Sequence, residues 1–336
     1  MVSEQMQNNS FWWKKRPSFL VFLNFLPELL ISLRNLFIKP YESKLKVLCV
    51  GNFTLGGSGK TPMVRYLRNL LEEKGYKCGV LLRGYKGSVK GPIEVSYNNH
   101  TSKEVGDEAL MHSKDGLTIV SKDRVNGCKY LERMGIDIVI LDDGFQNPSL
   151  KKDYNLLMVS STQGIGNNLV LPFGPLRETL KRSLKNVNVV IKSKDSKNDH
   201  DSFDSISKFY EDIFTANYIT KIDNDVSKNV ILYTGIADPL KFSHAIRKNN
   251  YRILESFILD DHEEINEELA NKILNTAKEK NADIITTEKD VVRLNHTKEG
   301  SYRKELSLKS NIAKLNIELD KNYLIGLIEN GLNITH

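Results

Sequence analysis

Short apolar runs alternate with stretches of helical periodicity along most of this chain. "KLKVLCV" (44–50) reads as a buried strand. After the turn "GNFTLGGSGKTP" (51–62), residues Met63, Val64, Leu67, Leu70 and Leu71 recur at helical spacing up to Gly75, where a C-cap is expected. "KCGVLL" (77–82), "LTIV" (117–120), "IDIVIL" (136–141) and "YNLLMV" (154–159) are further strand-like runs, with intervals between them that can hold crossover helices. This alternation predicts a mostly parallel sheet covered by helices on both faces. After a break at Pro172–Pro175 come "VNVVIK" (187–192), a polar tract (193–205), "NVILYTG" (229–235), a helical stretch over 263–280 and "ADIITT" (282–287), which predict a second, smaller α/β lobe. The expected organisation is an N-terminal segment 1–40, a core 41–178 and a lobe 179–336. No internal repeat is visible.

The N-terminus departs from this rhythm. Phe11–Tyr41 is rich in Phe, Leu and Ile, but Pro27, Glu28 and Arg34 interrupt it, and no small-residue cleavage site follows. Trp12 and Trp13 stand beside Lys14, Lys15 and Arg16. Aromatic rings, cations and an apolar face together suit a helix lying in a membrane interface. The competing expectation is a helix packed on the core.

Composition narrows the choice modestly. The 336 residues include 40% hydrophobic positions, enough for one large α/β domain or two smaller ones. A net charge of +6 fits an anionic partner without choosing among ATP, nucleic acid and anionic lipid. The three cysteines, Cys49, Cys78 and Cys128, are far apart and show no metal-ligand spacing, so buried structural thiols are expected.

The turn at 51–62 carries the first chemistry. A Walker A loop has a glycine five residues before its Gly-Lys, and here that position is Thr54. The remaining Gly56, Gly57, Ser58, Gly59, Lys60 and Thr61 still supply a phosphate cradle: glycines for close approach of backbone N–H groups, a lysine for the β/γ oxygens, and a hydroxyl for Mg²⁺. Pro62 is tolerated in the first helical turn. "IDIVILDDGFQ" (136–146) brings Asp142 and Asp143 to the end of a buried strand, as a Walker B strand does. In "GDEALMH" (106–112), Asp107 and Glu108 open a helix, where acids are also expected for dipole reasons. His262 in "LDDHEEI" (259–265) opens another. Leu55 stands where ParA/MinD-type ATPases carry an extra lysine. "TKID" (220–223) matches a guanine-reading motif, but the companion D-x-x-G switch is missing. A kinase needs an acceptor-activating base and a second substrate site, for which Asp107 and the N-terminal segment are candidates.

At this point the chain resembles the tetraacyldisaccharide 4′-kinases of lipid A biosynthesis. The resemblance rests on "VGNFTLGGSGKTP" (50–62), "LLRGYKG" (81–87), "GDEALMH", "LDDGFQN" (141–147), "LPFGPLRE" (171–178), "GIADPLKF" (235–242), "DDH" (260–262) and "TTEKDVVRL" (286–294), in family order over nearly the whole chain. Thr54 belongs to the family's variant loop. Leu82 replaces the commoner serine before Arg83-Gly84-Tyr85. The resemblance implies a P-loop NTPase-like three-layer α/β/α core with a second, smaller α/β lobe, and an N-terminal membrane-interface helix. It implies a peripheral enzyme on the cytoplasmic face of the bacterial inner membrane that moves the γ-phosphate of ATP to the 4′-hydroxyl of a tetraacyldisaccharide 1-phosphate. Thr54, Leu55, Gly56, Gly57, Ser58, Gly59, Lys60 and Thr61 would bind nucleotide. Thr61, Glu108 and Asp142, with Asp143 nearby, would organise Mg²⁺. Asp107, oriented by His262, would be the base. Arg83, Gln146, Arg177 and Glu178 would bind substrate, with Arg124 a further phosphate contact. The expected partners are the lipid-linked disaccharide and an anionic membrane surface, with no nucleic acid and no obligate protein. The alternatives are a membrane-associated P-loop ATPase switch acting on a protein partner and a nucleotide-binding scaffold without turnover.

Overall fold

The computed structural model describes residues 12, 22–161, 164–194, 206, 213–222, 225–260 and 263–334. Its strands are β1 (Lys46–Gly51), β2 (Cys78–Leu82), β3 (Ile93–Glu94), β4 (Thr118–Val120), β5 (Ile138–Asp142), β6 (Tyr154–Ser160), β7 (Val189–Lys194), β8 (Ile213–Ile222), β9 (Asn229–Thr234), β10 (Arg252–Ile258), β11 (Asp283–Thr287) and β12 (Ser310–Glu318). They form one sheet in the order β10-β9-β11-β12-β8-β7-β6-β1-β5-β2-β4-β3. Neighbours are parallel except β8 with β12 and β3 with β4.

Alternation along β1 sets the layers, since successive strand side chains face opposite sides. Leu48 and Val50 enter a core with Met63, Leu67 and Leu71 of the helix Lys60–Glu73 and with Leu324 and Ile328 of the last helix, Lys321–Leu332. Val47 and Cys49 face the other way, toward Cys128 and Leu131 of the helix Arg124–Glu132. Each fully buried aliphatic side chain contributes about 1.5–3 kcal/mol of hydrophobic stabilisation. The expected three-layer α/β/α arrangement follows directly.

Every strand-like run named from the sequence is a strand. Strand β7 lies beyond residue 178 and pairs with β6, so the sheet runs on past that position. The helical stretch expected over 263–280 begins at Glu267, because the Asn266 side chain caps it by accepting from Leu269 N at 2.8 Å. Strands β3, β8, β10 and β12 correspond to none of the strand-like runs named from the sequence. The first residues of "TKID" lie in β8, where Thr220 pairs with Leu315, so they form a ladder rather than a base-reading loop. All three cysteines are free and buried, and burial pushes Cys49 up to about 11 and Cys78 up to about 12.

The N-terminal helix Phe25–Leu36 buries none of its residues. Its polar side faces the body: Asn24 Oδ1 accepts from Val170 N (2.8 Å), Glu28 accepts from the Thr179 hydroxyl, and Arg182 donates to Ser32 Oγ (2.9 Å). Phe22, Phe25, Leu26, Leu29, Leu30, Leu33, Leu36 and Phe37 point outward, with Phe25 69% and Leu36 77% exposed. Upstream, Trp12 Nε1 donates to Pro172 O at 3.2 Å.

Candidate active site

β1 and β5 are immediate neighbours, with Val50 opposite Asp142. The loop leaving β1 and the acids leaving β5 therefore emerge side by side at the carboxyl edge of the sheet, where open α/β sheets bind ligands. Gly59 caps the following helix with φ +80°, a conformation that favours glycine, and a Cβ there would also collide with the Tyr218 ring. Tyr218, on β8, donates its hydroxyl hydrogen to Gly59 O at 2.8 Å. The first half of the loop is pinned differently. Leu55 N donates to Pro175 O (2.8 Å), and Arg177 N donates to Phe53 O (2.7 Å). Thr54, in place of the Walker glycine, is buried in this short pairing with Leu176. Ser58 is also buried, whereas Leu55, Gly56 and Gly57 are exposed along the loop.

Lys60 and Thr61 open the helix behind the loop. Thr61 Oγ1 donates to Asp142 Oδ2 at 3.1 Å, and His112 Nε2 lies 2.9 Å from the same oxygen. Burial opposes the Asp142 charge. The contact with His112, the Lys60 charge and the Thr61 hydroxyl outweigh it and hold Asp142 below the usual carboxylate value. Asp143 takes a left-handed backbone, φ 57°, and its carboxylate accepts from Arg177 Nη1 at 2.9 and 3.0 Å, with Lys60 Nζ 3.8 Å away. A non-glycine residue in this conformation is strained, and such strain collects at functional sites.

Glu108 lies close enough to feel both. Burial, then the Asp142 charge, push it up to about 7, against the pull of Lys289 and Lys60. Asp107, one residue earlier, is buried and accepts from Arg293 Nε at 2.9 Å. His262, the expected partner of Asp107, lies outside the described residues, as does Asp261.

Of the expected substrate residues, Gln146 and Arg177 meet, Arg177 Nη1 lying 3.4 Å from Gln146 Oε1, while Gln146 Nε2 donates to Asn52 O at 2.7 Å. Glu178 is raised by burial and lies 3.5 Å from Arg182. Gln146, Arg177, Glu178, Arg182, Lys152 and Arg34 line a cavity of about 820 Å³ between the N-terminal helix and the body. Arg124, expected as a further phosphate contact, is buried, and burial lowers its guanidinium against the pull of Asp143. Arg83 is exposed just beyond β2, and its charge reaches Arg124. Sequence reasoning missed His112, Tyr218, Asp290 and Arg293. His112 had a signal, lying one turn after Glu108 on the same helix; Tyr218 had none.

A phosphate loop after β1, acids at the end of the adjacent strand and a basic residue opening the helix define a P-loop nucleotide-binding α/β protein. The model of the family described as tetraacyldisaccharide-1-P 4′-kinase (LpxK) matches residues 17–330, and the chain belongs to that family. It is 34% identical over 324 residues to a tetraacyldisaccharide 4′-kinase of Rhizobium etli, covering 95% of this chain and 92% of that relative. A Rhizobium rhizogenes relative of the same name is 35% identical over 298 residues, covering 88% and 83%. Among solved structures, the Aquifex aeolicus LpxK determined in complex with ATP matches with a TM-score of 0.70 at 24% identity, covering 94% of this chain and 99% of that one.

Proposed function

We propose that this chain transfers the γ-phosphoryl group of ATP to the 4′-hydroxyl of a tetraacyldisaccharide 1-phosphate. The observation that carries the site assignment is the contact between Thr61, at the start of the helix after the loop, and Asp142, at the end of β5, with Lys60 and Asp143 beside it. Lys60 and the loop amides hold the phosphates, and Lys60 meets the charge that develops on the transferred group. The donors Thr61, Asp142 and Glu108 are hard oxygens, and Mg²⁺ takes oxygen ligands from one or two carboxylates together with substrate phosphates, so these residues fit it. Bound there, Mg²⁺ supplies charge neutralisation for the phosphate oxygens.

Asp107 accepts the 4′-hydroxyl proton as the new O–P bond forms and the bond to the β-phosphate breaks, releasing ADP. General-base help of this kind is worth about 10²–10⁴-fold. His262 is assigned as its orienting partner. Arg177, Gln146 and Glu178 face the cavity beneath the N-terminal helix and are assigned to the acceptor, with Arg83 and Arg124 supporting charge around it. The core 41–178 supplies the nucleotide side, and the lobe 179–336 closes the site through β8 and the segment after β11.

The outward apolar face of the helix Phe25–Leu36 supports an in-plane anchor that brings this cavity to the membrane holding the acceptor, on its cytoplasmic side. No helix of the described residues is long and apolar enough to cross a membrane. No protein partner is assigned. The test is transfer of labelled γ-phosphate from ATP to a tetraacyldisaccharide 1-phosphate in mixed micelles, read by chromatography of the lipid. ATP hydrolysis without labelled lipid would instead support an ATPase switch, and binding without turnover a scaffold.

A further inference from the structure

The segment "TTEKDVVRL" (286–294) reaches the kinase centre from the far half of the sheet. β11 ends at Thr287, and the short helix Glu288–Val292 packs against the helix Asp107–Ser113. Asp290 is 1% exposed, and its carboxylate is saturated. Oδ2 accepts from Thr234 Oγ1 (2.7 Å) and Thr287 Oγ1 (2.6 Å), and Oδ1 from Gly235 N (2.9 Å) and Arg293 Nη1 (3.0 Å). Arg293 Nη1 also donates to Gly235 O at 2.9 Å. The planar guanidinium is thus clamped at one corner and directs its Nε hydrogen at Asp107 Oδ2, 2.9 Å away.

Two further observations set this apart from an ordinary ion pair. Among the described residues Arg293 Nη2 is buried with no hydrogen-bond partner, so the guanidinium is held through its Nη1 and Nε atoms alone. And the same segment makes a second bridge, Glu288 to Arg65 on the helix behind the phosphate loop, where Arg65 also pairs with Asp115. The clamp therefore touches the helices of both the base and the phosphate loop.

We propose that Arg293, held by Asp290 and Gly235, is a positioning residue for Asp107 in addition to His262: it fixes Oδ2 of the carboxylate and makes alignment of the base depend on the far half of the sheet. The inference rests on Asp107 being the base. An Arg fork gives direction as well as charge, and misplacing a reacting group by about 1 Å costs on the order of 10²-fold in rate.

The experiment is a double-mutant cycle on the full chain, read as kcat and the two KM values with ATP and tetraacyldisaccharide 1-phosphate in mixed micelles. Asp107→Ala comes first, because a near-wild-type kcat there overturns the base assignment itself, independently of Arg293. Arg293→Ala should lower kcat about 10–100-fold while the KM for ATP stays within about twofold. In the Asp107→Ala background the same substitution should cost less than about threefold, since a coupled pair acts as one unit. Arg293→Lys, which keeps the charge but loses the fork, should restore part of kcat in the wild-type background and change nothing in the Asp107→Ala background. If Arg293→Ala fails to fold, Arg293→Lys carries the cycle alone, with a kcat loss of about fivefold or more that vanishes without Asp107. Equal losses in both backgrounds, or an unchanged kcat for the variant that folds, would overturn the proposal.

Discussion

The phosphate centre and the N-terminal helix solve opposite problems with the same kinds of side chain. At the centre, polar and charged groups are buried and bonded: Asp142 to Thr61 and His112, Asp143 to Arg177 and Lys60. On the helix Phe25–Leu36, polar groups turn toward the body and the apolar ones are left in the open. Burying charge costs unless it is paired, and exposing a contiguous apolar face costs unless something covers it. The first region sets its charges against one another. The second leaves its apolar face uncovered among the described residues. Changes at the centre should therefore strike turnover, and changes on the helix should strike encounter with the lipid.

The sharpest test of the first half is Lys60→Ala. Loss of its charge at the transferred group should lower kcat by about 10³-fold, measured with labelled ATP and micellar acceptor on folded protein. Near-wild-type transfer would dissolve the contrast, because the phosphate loop would no longer be the seat of chemistry. Next in size is Asp107→Ala, expected to lower kcat by about 10²-fold with ATP KM little changed, since the base acts on the acceptor. A rise in ATP KM with kcat intact would move Asp107 to the nucleotide side.

The helix should answer differently. Replacing Leu29 and Leu33 by Ser, on the outward face, should raise the KM for lipid acceptor by about tenfold and weaken binding to anionic liposomes, while kcat at saturating lipid and ATP affinity hold. Co-sedimentation at low and high salt separates the apolar contribution from that of the cations, because only the latter fades with ionic strength. An unchanged lipid KM would show that the exposed face has no such surface to meet.

The smallest effect concerns stability. Glu108 titrates near its ordinary value of 4.5 when unfolded and at about 7 in the fold. Its folded pKa is raised, so the folded protein holds the proton between these values and must give it up above about 7, at a cost. Without nucleotide, stability from this group falls as pH rises through that window. Glu108→Gln should therefore raise Tm by about 2–4 °C at pH 8 and leave it unchanged at pH 4.5, while impairing turnover. Thermal melts at both pH values check it, and an equal gain at both would mean that the effect is not the carboxyl charge.

The parts of the molecule that could be read in advance are those whose cause is local. A buried parallel strand announces itself by a run such as "VLCV", and a phosphate loop by glycines before Lys60. Strands β8 and β12 escaped because they are half-exposed, with charged and polar residues on one face, and their antiparallel pairing joins segments far apart in sequence. The same distance hid the support of the site. Nothing near Asp107 says that Arg293 will meet it 186 residues later, and nothing near Gly59 announces Tyr218. The acids of "GDEALMH" fit an ordinary helix start equally well, and only the fold distinguishes Glu108, partly buried within reach of the Asp142 charge, from a solvent-facing cap.

Cys49 offers a further use. It lies on β1, the strand that delivers the phosphate loop, with no exposure to solvent, and a Cβ added to Gly144, in the turn after Asp142 and Asp143, would stand 3.4 Å from its sulfur. Its thiol is raised to about 11 by burial, so a disulfide reagent or maleimide meets almost no thiolate until β1 separates from its neighbours. The rate of labelling is then a clock for opening of that part of the sheet. A nucleotide seated on the loop binds the closed form and slows the clock by the factor 1 + [L]/Kd. Occupancy of the kinase centre becomes measurable by mass spectrometry of one sulfur atom, with no lipid present and no phosphate transferred.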